Sequence, residues 1–158
     1  MVKSRNARSA AASPPRGCTN LKLRQLTRRV SQHYDRIVGA AGLKTTQYSL
    51  LSHIARLGPI RPGDLAGKME MDASTLTRNL QPMVGNGWIE VGPGPDGRSR
   101  WVTVTPVGLE KRAEGLRQWK RAQLALNARL GEERVAELHA LLDECLATIN
   151  EPEEAAGG

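Results

Sequence analysis

Apolar residues recur at every third or fourth position near the start of the chain, which is the spacing of one helix face. The stripe consists of Leu23, Leu26, Val30, His33, Ile37 and Ala40, with His33 as its one polar member. It predicts a helix of about five turns that ends at Gly42. A second helix is predicted from an N-cap at Thr45 or Thr46 to Leu57, and a third, short helix from Pro62 to about Met69.

A fourth predicted helix has two unlike faces. We expect it to follow Asp72 as N-cap and to run to Val84, with a kink at Pro82 because proline removes a backbone hydrogen bond. Its apolar face consists of Leu76, Leu80, Met83 and Val84. Its polar positions are Ser74, Thr75, Thr77, Arg78, Asn79 and Gln81. Such a helix packs on one side and leaves a hydrogen-bonding surface on the other.

The rest of the chain predicts one hairpin and two long helices. Residues 88–91 and 101–105 alternate in polarity, as strands do, around a loop rich in glycine and proline. Proline at the first helical position opens a helix over residues 106–130, and Gly131 separates it from a last helix over residues 132–150. The apolar side of the last helix consists of Leu138, Leu141, Leu142, Cys145, Leu146 and Ile149.

Composition supports a mostly α-helical chain with a small β hairpin. Aromatic residues make up 3% of the 158 residues and phenylalanine is absent, so a core must be built from aliphatic side chains. That composition suits helix packing better than a β sandwich. Between residues 45 and 105 the predicted order is helix, short helix, turn, polar-faced helix and hairpin, which is the order of a winged helix-turn-helix domain.

The formal net charge of +7 is unevenly distributed along the chain. Residues 1–20 contain four bases and no acid, residues 21–105 contain 12 bases and 6 acids, and residues 106–149 contain seven of each. We expect residues 1–17 to be a disordered basic arm and residues 151–158 to be an acidic tail. The cations accumulate where contact with phosphates is predicted, although a basic surface also favours solubility.

The polar-faced helix and the hairpin together predict a DNA-binding surface. The major groove admits one α-helix, and base edges are read by short hydrogen-bonding side chains and by arginine, which are the residue types found over residues 74–81. At the hairpin tip, Arg98 and Arg100 can enter a minor groove or contact phosphates, and Asp96 can orient the tip. Each residue alone is ordinary for a protein surface, and only the ordered set predicts binding to double-stranded DNA.

Three stretches of the sequence resemble the multiple antibiotic resistance regulator (MarR) family. They are residues 42–48, the segment from Asp72 to Trp88, and the wing sequence Asp96-Gly97-Arg98-Ser99. The resemblance extends over about Leu21 to Ile149. It implies that residues 74–78 read bases and that Asp96 and Arg98 form the wing pair.

The resemblance also implies a homodimer, because the first helix and the last two helices of this family interlace between subunits. We therefore expect residues 18–150 to form one MarR-like domain, with a winged helix over residues 45–105 and dimerisation helices over 18–41 and 106–150. Such a dimer binds a pseudo-palindromic operator. The implied function is transcription regulation in the bacterial cytoplasm, as a repressor that a small, often aromatic or phenolic, ligand releases from DNA.

Two modes of sensing are left open. The candidate residues for a ligand pocket are His33, Tyr34, Tyr48, Ser52 and His53, although His33 equally suits a hydrogen-bonded helix interface. The alternative resembles the organic hydroperoxide resistance regulators: Cys18 would be oxidised and Cys145 of the other subunit would resolve it as a disulfide. Against this, alignment on Tyr34 places Asn20, and not Cys18, at the reactive position. In the simpler interpretation Cys145 is buried and Cys18 has no role.

An enzyme is not supported by the sequence. It offers no clustered acid and base, no metal-ligand spacing and no phosphate-binding glycine loop, and the two cysteines are too few for a disulfide framework. We expect no catalytic residue, no metal and no cofactor. Apolar runs are too short to span a bilayer, so no membrane partner is expected. A protein-interaction module that keeps the fold without binding DNA is a further alternative, against which Arg98 and Arg100 weigh.

Overall fold

The structure, a computed structural model, describes residues 14–150. Its elements in chain order are α1 (Thr19–Val38), a 3-10 turn (Gly39–Ala41), α2 (Thr45–Leu57), α3 (Pro62–Lys68), α4 (Ala73–Gly85), β1 (Ile89–Pro93), β2 (Arg100–Val104), α5 (Pro106–Leu130) and α6 (Glu132–Asn150). The predicted mostly helical fold with one hairpin is confirmed. Of the predicted basic arm, residues 1–13 lie outside the described residues, as does the acidic tail at 151–158, while residues 14–17 are irregular and exposed.

The core lies between residues 38 and 102. The largest fully buried side chains are Val38, Leu50, Leu51, Ile54, Leu65, Leu76, Met83, Ile89 and Val102. They come from the end of α1, from α2, α3 and α4, and from the hairpin, and they form one continuous cluster. Tyr48 and Trp88 add aromatic rings to the same cluster. An aliphatic core is what the composition predicts.

The hairpin is attached to the helices through a third backbone segment. β1 and β2 pair antiparallel, with Ile89 opposite Val104 and Pro93 opposite Arg100. Ile60, which precedes α3, exchanges two backbone hydrogen bonds with Val102 of β2, at 3.1 and 2.8 Å between nitrogen and oxygen. The hairpin is therefore held beside α3 by its second strand.

Small residues of α5 allow close contact with the rest of the chain. A β-carbon at Gly108 would overlap the carbonyl oxygen of Trp88, and one at Gly115 would press on the Tyr48 ring. Thr105 caps the helix by accepting a hydrogen bond from the Gly108 N–H at 3.0 Å, and its hydroxyl donates to the carbonyl of Gly87 at 2.6 Å. These contacts join the start of α5 directly to the base of the hairpin.

Two details of the predicted helices are wrong. The N-cap of α2 is Lys44, and not Thr45 or Thr46. The Thr45 N–H donates to the Asp35 carboxylate of α1 at 2.8 Å, so a tertiary contact satisfies a backbone N–H in the first turn of α2. Val84, predicted on the apolar face of α4, is 43% exposed. It follows the buried Met83, and one residue is a rotation of roughly 100° about the helix axis.

The terminal helices bury far less than the winged region. Every residue from Thr19 to Arg29 is exposed, and Val135 is the one buried residue of α6. The large apolar side chains that these helices expose include Leu21, Leu23, Leu26, Leu141, Leu146 and Ile149. Within residues 14–150, no helix combines the length and apolar character that crossing a bilayer requires. The apolar stripes read from the sequence are thus present but only partly covered in a single chain.

Candidate nucleic-acid interface

α4 presents a polar face to solvent, but the six predicted residues do not all share it. The exposed members are Ser74, Thr77, Arg78 and Gln81. Thr75 and Asn79 are half-buried, and the Asn79 side-chain amide donates to the Thr75 carbonyl at 2.8 Å. The predicted set therefore divides into four exposed side chains and two half-buried ones.

The N-terminus of α4 is held by one carboxylate. Asp72 accepts hydrogen bonds from the Ser74 hydroxyl at 2.6 Å, from the Thr75 N–H at 2.7 Å and from the Thr75 hydroxyl at 2.7 Å. These bonds, the one from the Ser74 hydroxyl foremost, hold the pKa of Asp72 well below its usual range. Because both hydroxyl protons are engaged, the free capacity of Ser74 and Thr75 is as hydrogen-bond acceptors.

Arg78 lies one turn along the same face, with only long contacts to its own helix. Its Nε donates to the Ser74 carbonyl at 3.3 Å, and its Nη2 lies 3.4 Å from the Ser74 hydroxyl. A guanidinium has five N–H donors in a planar fork, so most of them stay available to an outside partner. Arg78 can therefore make the bidentate contact that guanine edges and phosphates accept.

The hairpin loop is organised around Asp96. Its Oδ1 accepts from the Arg98 N–H at 3.1 Å, from the Ser99 N–H at 2.8 Å and from the Ser99 hydroxyl at 2.6 Å. These bonds, the one from the Ser99 hydroxyl foremost, lower the pKa of Asp96 to about 2. Gly97 adopts a φ of +66°, which favours glycine at this turn.

Three residues that support the hairpin were missed as contributors to the site. The Trp101 indole N–H donates to the Ser99 hydroxyl at 2.8 Å, and the Arg61 guanidinium lies over the Trp101 ring at 5.6 Å from its centroid. A β-carbon at Gly94 would overlap that indole. The turn at Asp96 and Ser99, on which Trp101 rests, has a local signal in the sequence. The approach of Arg61 is tertiary and leaves no such signal.

The two wing arginines occupy different places, so the prediction that both sit at the tip is wrong for Arg100. Arg98 is an exposed residue of the loop. Arg100 begins β2 and lines a cavity of about 500 Å³ with Thr77 and Gln81 of α4. The strand pairing continues one residue further toward the tip than the alternation of polarity indicated, which draws Arg100 alongside the polar face of α4.

Of the five candidate ligand residues, His33 and Tyr34 of α1 both form hydrogen bonds with α5. His33 Nε2 donates to the Ala122 carbonyl at 2.9 Å, and the Tyr34 hydroxyl donates to the Gln123 side chain. Burial raises the pKa of Tyr34. A cavity of about 320 Å³ lies beside His33 between α1 and α5, and the other four candidates are not among its lining residues. Their role in ligand binding stays a prediction.

The remaining candidates lie on α2. Tyr48 stacks on Trp119 of α5, with ring centroids 6.2 Å apart, and the His53 Nδ1–H donates to the Ser49 carbonyl at 2.8 Å. The Ser52 hydroxyl is buried and has no hydrogen-bond partner among residues 14–150. Packing and local hydrogen bonds thus account for Tyr48 and His53, and Ser52 is the candidate whose polar group is left unused.

Both cysteines are free thiols and both are exposed. Cys18 is the N-cap residue of α1, and Cys145 lies near the end of α6. The interpretation in which Cys145 is buried is therefore wrong for the single chain. Pairing of Cys18 with the other cysteine across a dimer stays a prediction.

Together, α2, α3, α4 and the hairpin define a winged helix-turn-helix fold, and solved structures of this class superpose on the chain. A mutant MarR from E. coli complexed with operator DNA has a TM-score of 0.73 and 22% identity, over 80% of this chain and 92% of that one. A probable transcriptional regulator from Pseudomonas aeruginosa has a TM-score of 0.73 and 26% identity, over 81% and 96%. The M. tuberculosis regulator MosR in complex with DNA has a TM-score of 0.70 and 29% identity, over 85% and 99%.

Sequence comparison finds similarity to one family. The MarR family model matches residues 43–98 of this chain. The multiple antibiotic resistance protein MarR of Salmonella typhimurium is 33% identical over 93 residues, which are 56% of this chain and 65% of that protein. An uncharacterized HTH-type transcriptional regulator of Bacillus subtilis is 25% identical over 93 residues, 59% of this chain and 68% of that protein. The chain thus spans about two thirds of the length of these curated relatives.

Proposed function

We propose that this protein is a sequence-specific DNA-binding transcription regulator without enzymatic activity. The observation that carries the proposal is the outward polar face of α4, with Arg78 exposed, next to a hairpin that exposes Arg98 and Arg100. Two proteins of similar fold have been solved with DNA, one of them with its operator. DNA binding by a MarR-family domain also suits a chain whose cations accumulate before residue 106. Such a regulator of a bacterium acts in the cytoplasm.

In this proposal the functional unit is a symmetric homodimer. Two copies would place their α4 helices about one turn of DNA apart, so the operator is a pseudo-palindrome. The apolar side chains that α1 and α6 expose supply a surface for the second copy to cover. The dimer represses transcription and leaves the operator when it binds an inducer.

The proposed DNA contacts divide into base-reading and backbone-contacting groups. Arg78 and Gln81 contact base edges, since they lie outward on α4 and carry several donors. Ser74, Thr77 and the half-buried pair Thr75 and Asn79 lie at the margin of that contact. Arg98 contacts a minor groove or phosphates, whereas Arg100 contacts the backbone that flanks α4.

Titration of selected operator DNA tests the proposal. The operator is first obtained by genomic selection, and binding is then measured by fluorescence anisotropy over a range of salt concentrations. Arg98→Ala/Arg100→Ala should weaken binding to every sequence and lower the slope of log K against log salt by about 0.9 for each phosphate that the variant no longer neutralises. Arg78→Ala should cost about 1–3 kcal/mol on the operator and less on unrelated DNA.

Arg121→Ala is the matched control, because it removes an exposed arginine from α5. It should leave binding and salt dependence near those of the unsubstituted protein. If neither the wing variant nor Arg78→Ala alters DNA retention, the interaction-module alternative replaces the proposal.

The proposed inducer is a small aromatic or phenolic anion. The edge-to-face pair of His33 and Tyr34, with centroids 5.7 Å apart, supports a site at the contact of α1 and α5. Benzoate and 4-hydroxybenzoate should lower the affinity for the operator, and Tyr34→Phe should raise the concentration they require. An inducer effect that Tyr34→Phe and Ser52→Ala both leave unaltered would place the ligand elsewhere.

A second proposed function is thiol sensing, which the exposure of Cys18 favours. Peroxide would then release the operator, and added thiol would restore binding. Cys18→Ser should abolish that response and leave binding by the reduced protein intact. A response to peroxide that persists in Cys18→Ser assigns oxidation to another residue.

A further inference from the structure

We propose that the exposed hydroxyl oxygens of Ser74 and Thr77 accept hydrogen bonds from base amino groups, the N6 of adenine or the N4 of cytosine, beside the base that Arg78 contacts. The inference rests on the proposed function, since it needs α4 to lie in the major groove. It adds which chemical groups two of its side chains select. A serine or threonine hydroxyl ordinarily both donates and accepts, so the residue type alone carries no base preference.

The single hydroxyl proton of Ser74 is engaged within the chain. It lies on the bond to Asp72 Oδ1, with 2.6 Å between the oxygens. This bond foremost, together with those from Thr75, holds the pKa of Asp72 well below its usual range, so the carboxylate is ionised at neutral pH. An ionised carboxylate only accepts, which makes the hydroxyl the donor. The Ser74 oxygen therefore has only acceptor capacity to offer an outside partner.

Thr77 is limited to the same role by a different contact. Its hydroxyl donates to the Ala73 carbonyl, one turn earlier in α4, at 2.8 Å. A carbonyl has no proton, so the hydroxyl is again the donor. Such a bond to the carbonyl four residues earlier needs only the helix itself and does not involve Asp72. Ser74 and Thr77 are thus two exposed acceptors whose protons are held by independent partners.

The engaged protons decide which part of DNA these oxygens can contact. Phosphate oxygens only accept, so a hydroxyl whose proton is already used cannot bond to the backbone. In the major groove, guanine N7 and O6, adenine N7 and thymine O4 are acceptors as well. The donors that this groove presents are the amino groups of adenine and cytosine. These two groups are therefore the ones that match an acceptor-only hydroxyl.

Arg78 supplies the opposite polarity on the same face of α4. Its guanidinium only donates, and its Nη2 lies 3.4 Å from the Ser74 oxygen, a long contact that approaches one of the two lone pairs. Residues four apart are neighbours on a helix surface. Donor and acceptor thus stand side by side, and the operator should present an amino group next to the guanine or phosphate that Arg78 contacts.

Base analogues in the selected operator test the assignment. Purine in place of adenine, or 2-pyrimidinone in place of cytosine, removes one amino group at a time, and affinity is measured by fluorescence anisotropy. For the unsubstituted protein, removal of the amino group that a hydroxyl contacts should weaken binding about two- to tenfold, the usual worth of one neutral hydrogen bond. Ser74→Ala should abolish the loss at one position, and Thr77→Val should abolish it at another.

Two comparisons isolate the hydrogen bond from other effects. Measuring two proteins on one duplex cancels the effect of the analogue on base pairing. Thr77→Ser is the conservative control, because it keeps the hydroxyl and the carbonyl four residues earlier. It should keep every loss that the unsubstituted protein shows, whereas Thr77→Val should not.

Asp72→Gly separates the two hydroxyls, because glycine is tolerated as an N-cap but leaves the Ser74 proton without its acceptor. At the base pair assigned to Ser74, inversion of the pair replaces the amino group by a carbonyl oxygen. The variant should bind the inverted and original duplexes within about twofold of each other, and its preference at the Thr77 base pair should persist. Loss of a negative charge raises affinity for all DNA, so the readout is this ratio of affinities.

Three results would contradict the proposal. A weaker salt dependence in Ser74→Ala or Thr77→Val assigns the hydroxyls to phosphates and overturns it. Sequence-specific binding in which no amino-group removal couples to either residue also overturns it, and leaves the proposed function standing. A protein that selects no DNA sequence overturns both.

Discussion

Residues 38–102, which we call the winged region, and the terminal segments, the start of α1 and the whole of α6, use their apolar side chains in opposite ways. In the winged region nine large side chains are fully buried within a single chain. In α6 one residue is buried, and Ile149 is 79% exposed. A core that is complete inside one chain can stabilise the winged region without a partner, whereas the start of α1 and the end of α6 have no such core of their own.

α5 contacts both the winged region and α1. Its first turns pack against the hairpin base through Gly108, and Ala122, further along, is fully buried and accepts a hydrogen bond from His33. Lys111 adds a third link, since its ammonium donates to the Ala41 carbonyl at 3.1 Å. Side chains of α5 therefore contribute directly to the orientation of the winged region relative to α1.

The largest expected effect comes from removing a core side chain from the winged region. Leu65→Ala should lower the free energy of unfolding by about 2–5 kcal/mol, because it leaves a cavity in a fully packed cluster. The decrease should not depend on protein concentration. Leu146→Ala in α6 is the matched comparison: in denaturant titrations its effect should be largest where the protein is dimeric, shrink as the protein is diluted and vanish for the monomer. Equal, concentration-independent decreases would break the distinction between the two regions.

A smaller effect is expected at the junction of the regions. Gly108→Ala should destabilise the protein by about 1–3 kcal/mol, because the added β-carbon meets a backbone oxygen that cannot move aside without shifting α5 or the hairpin. Gly67→Ala is the control, since nothing lies within 4 Å of a β-carbon there and alanine is the better helix former. Chemical denaturation compares the two. If Gly108→Ala leaves the free energy of unfolding unchanged, α5 does not pack closely against the base of the hairpin.

The smallest effect is a pH dependence confined to the winged region. The pKa values of Asp72 and Asp96 are both lowered in the folded chain, by hydrogen bonds to Ser74 and Thr75 and to Ser99. Their contribution to stability is therefore present above the unfolded value of about 3.9 and is lost as pH falls through the folded values. Thermal midpoints measured downward from about pH 5 should fall less in Asp72→Asn/Asp96→Asn than in the unsubstituted protein. If the thermal midpoints of the two proteins fall equally with pH, neither carboxylate has the lowered pKa described above.

Local patterns in the sequence were sufficient for most helix boundaries. The Asp72 cap, the Thr105-Pro106 start and the Gly131 break all stand where capping chemistry places them, because each depends on residues within one turn. The prediction failed at the start of α2, where the distant Asp35 supplies the acceptor. It also failed for Val84, because the sequence pattern does not show how wide the buried face of a helix is.

The candidate interface was predictable as a set of residues but not as a geometry. The polar positions of α4 and the wing sequence are visible in the chain. The split of that set, with Thr75 and Asn79 half-buried and the other four residues exposed, depends on what packs around α4 and is not visible in the sequence. The support of the wing by Arg61 and Trp101 joins two positions that lie far apart in the chain, which no local spacing records.

By itself, the sequence determined the order of elements, the aliphatic core, the unequal distribution of charge and the polar face of α4. These follow from periodicity, capping and composition, which act over a few neighbouring residues. The tertiary structure decided which polar side chains are exposed, where Arg100 lies, and that apolar side chains at the start of α1 and the end of α6 are uncovered in one chain. Those properties depend on contacts between residues far apart in sequence, and only packing brings such residues together.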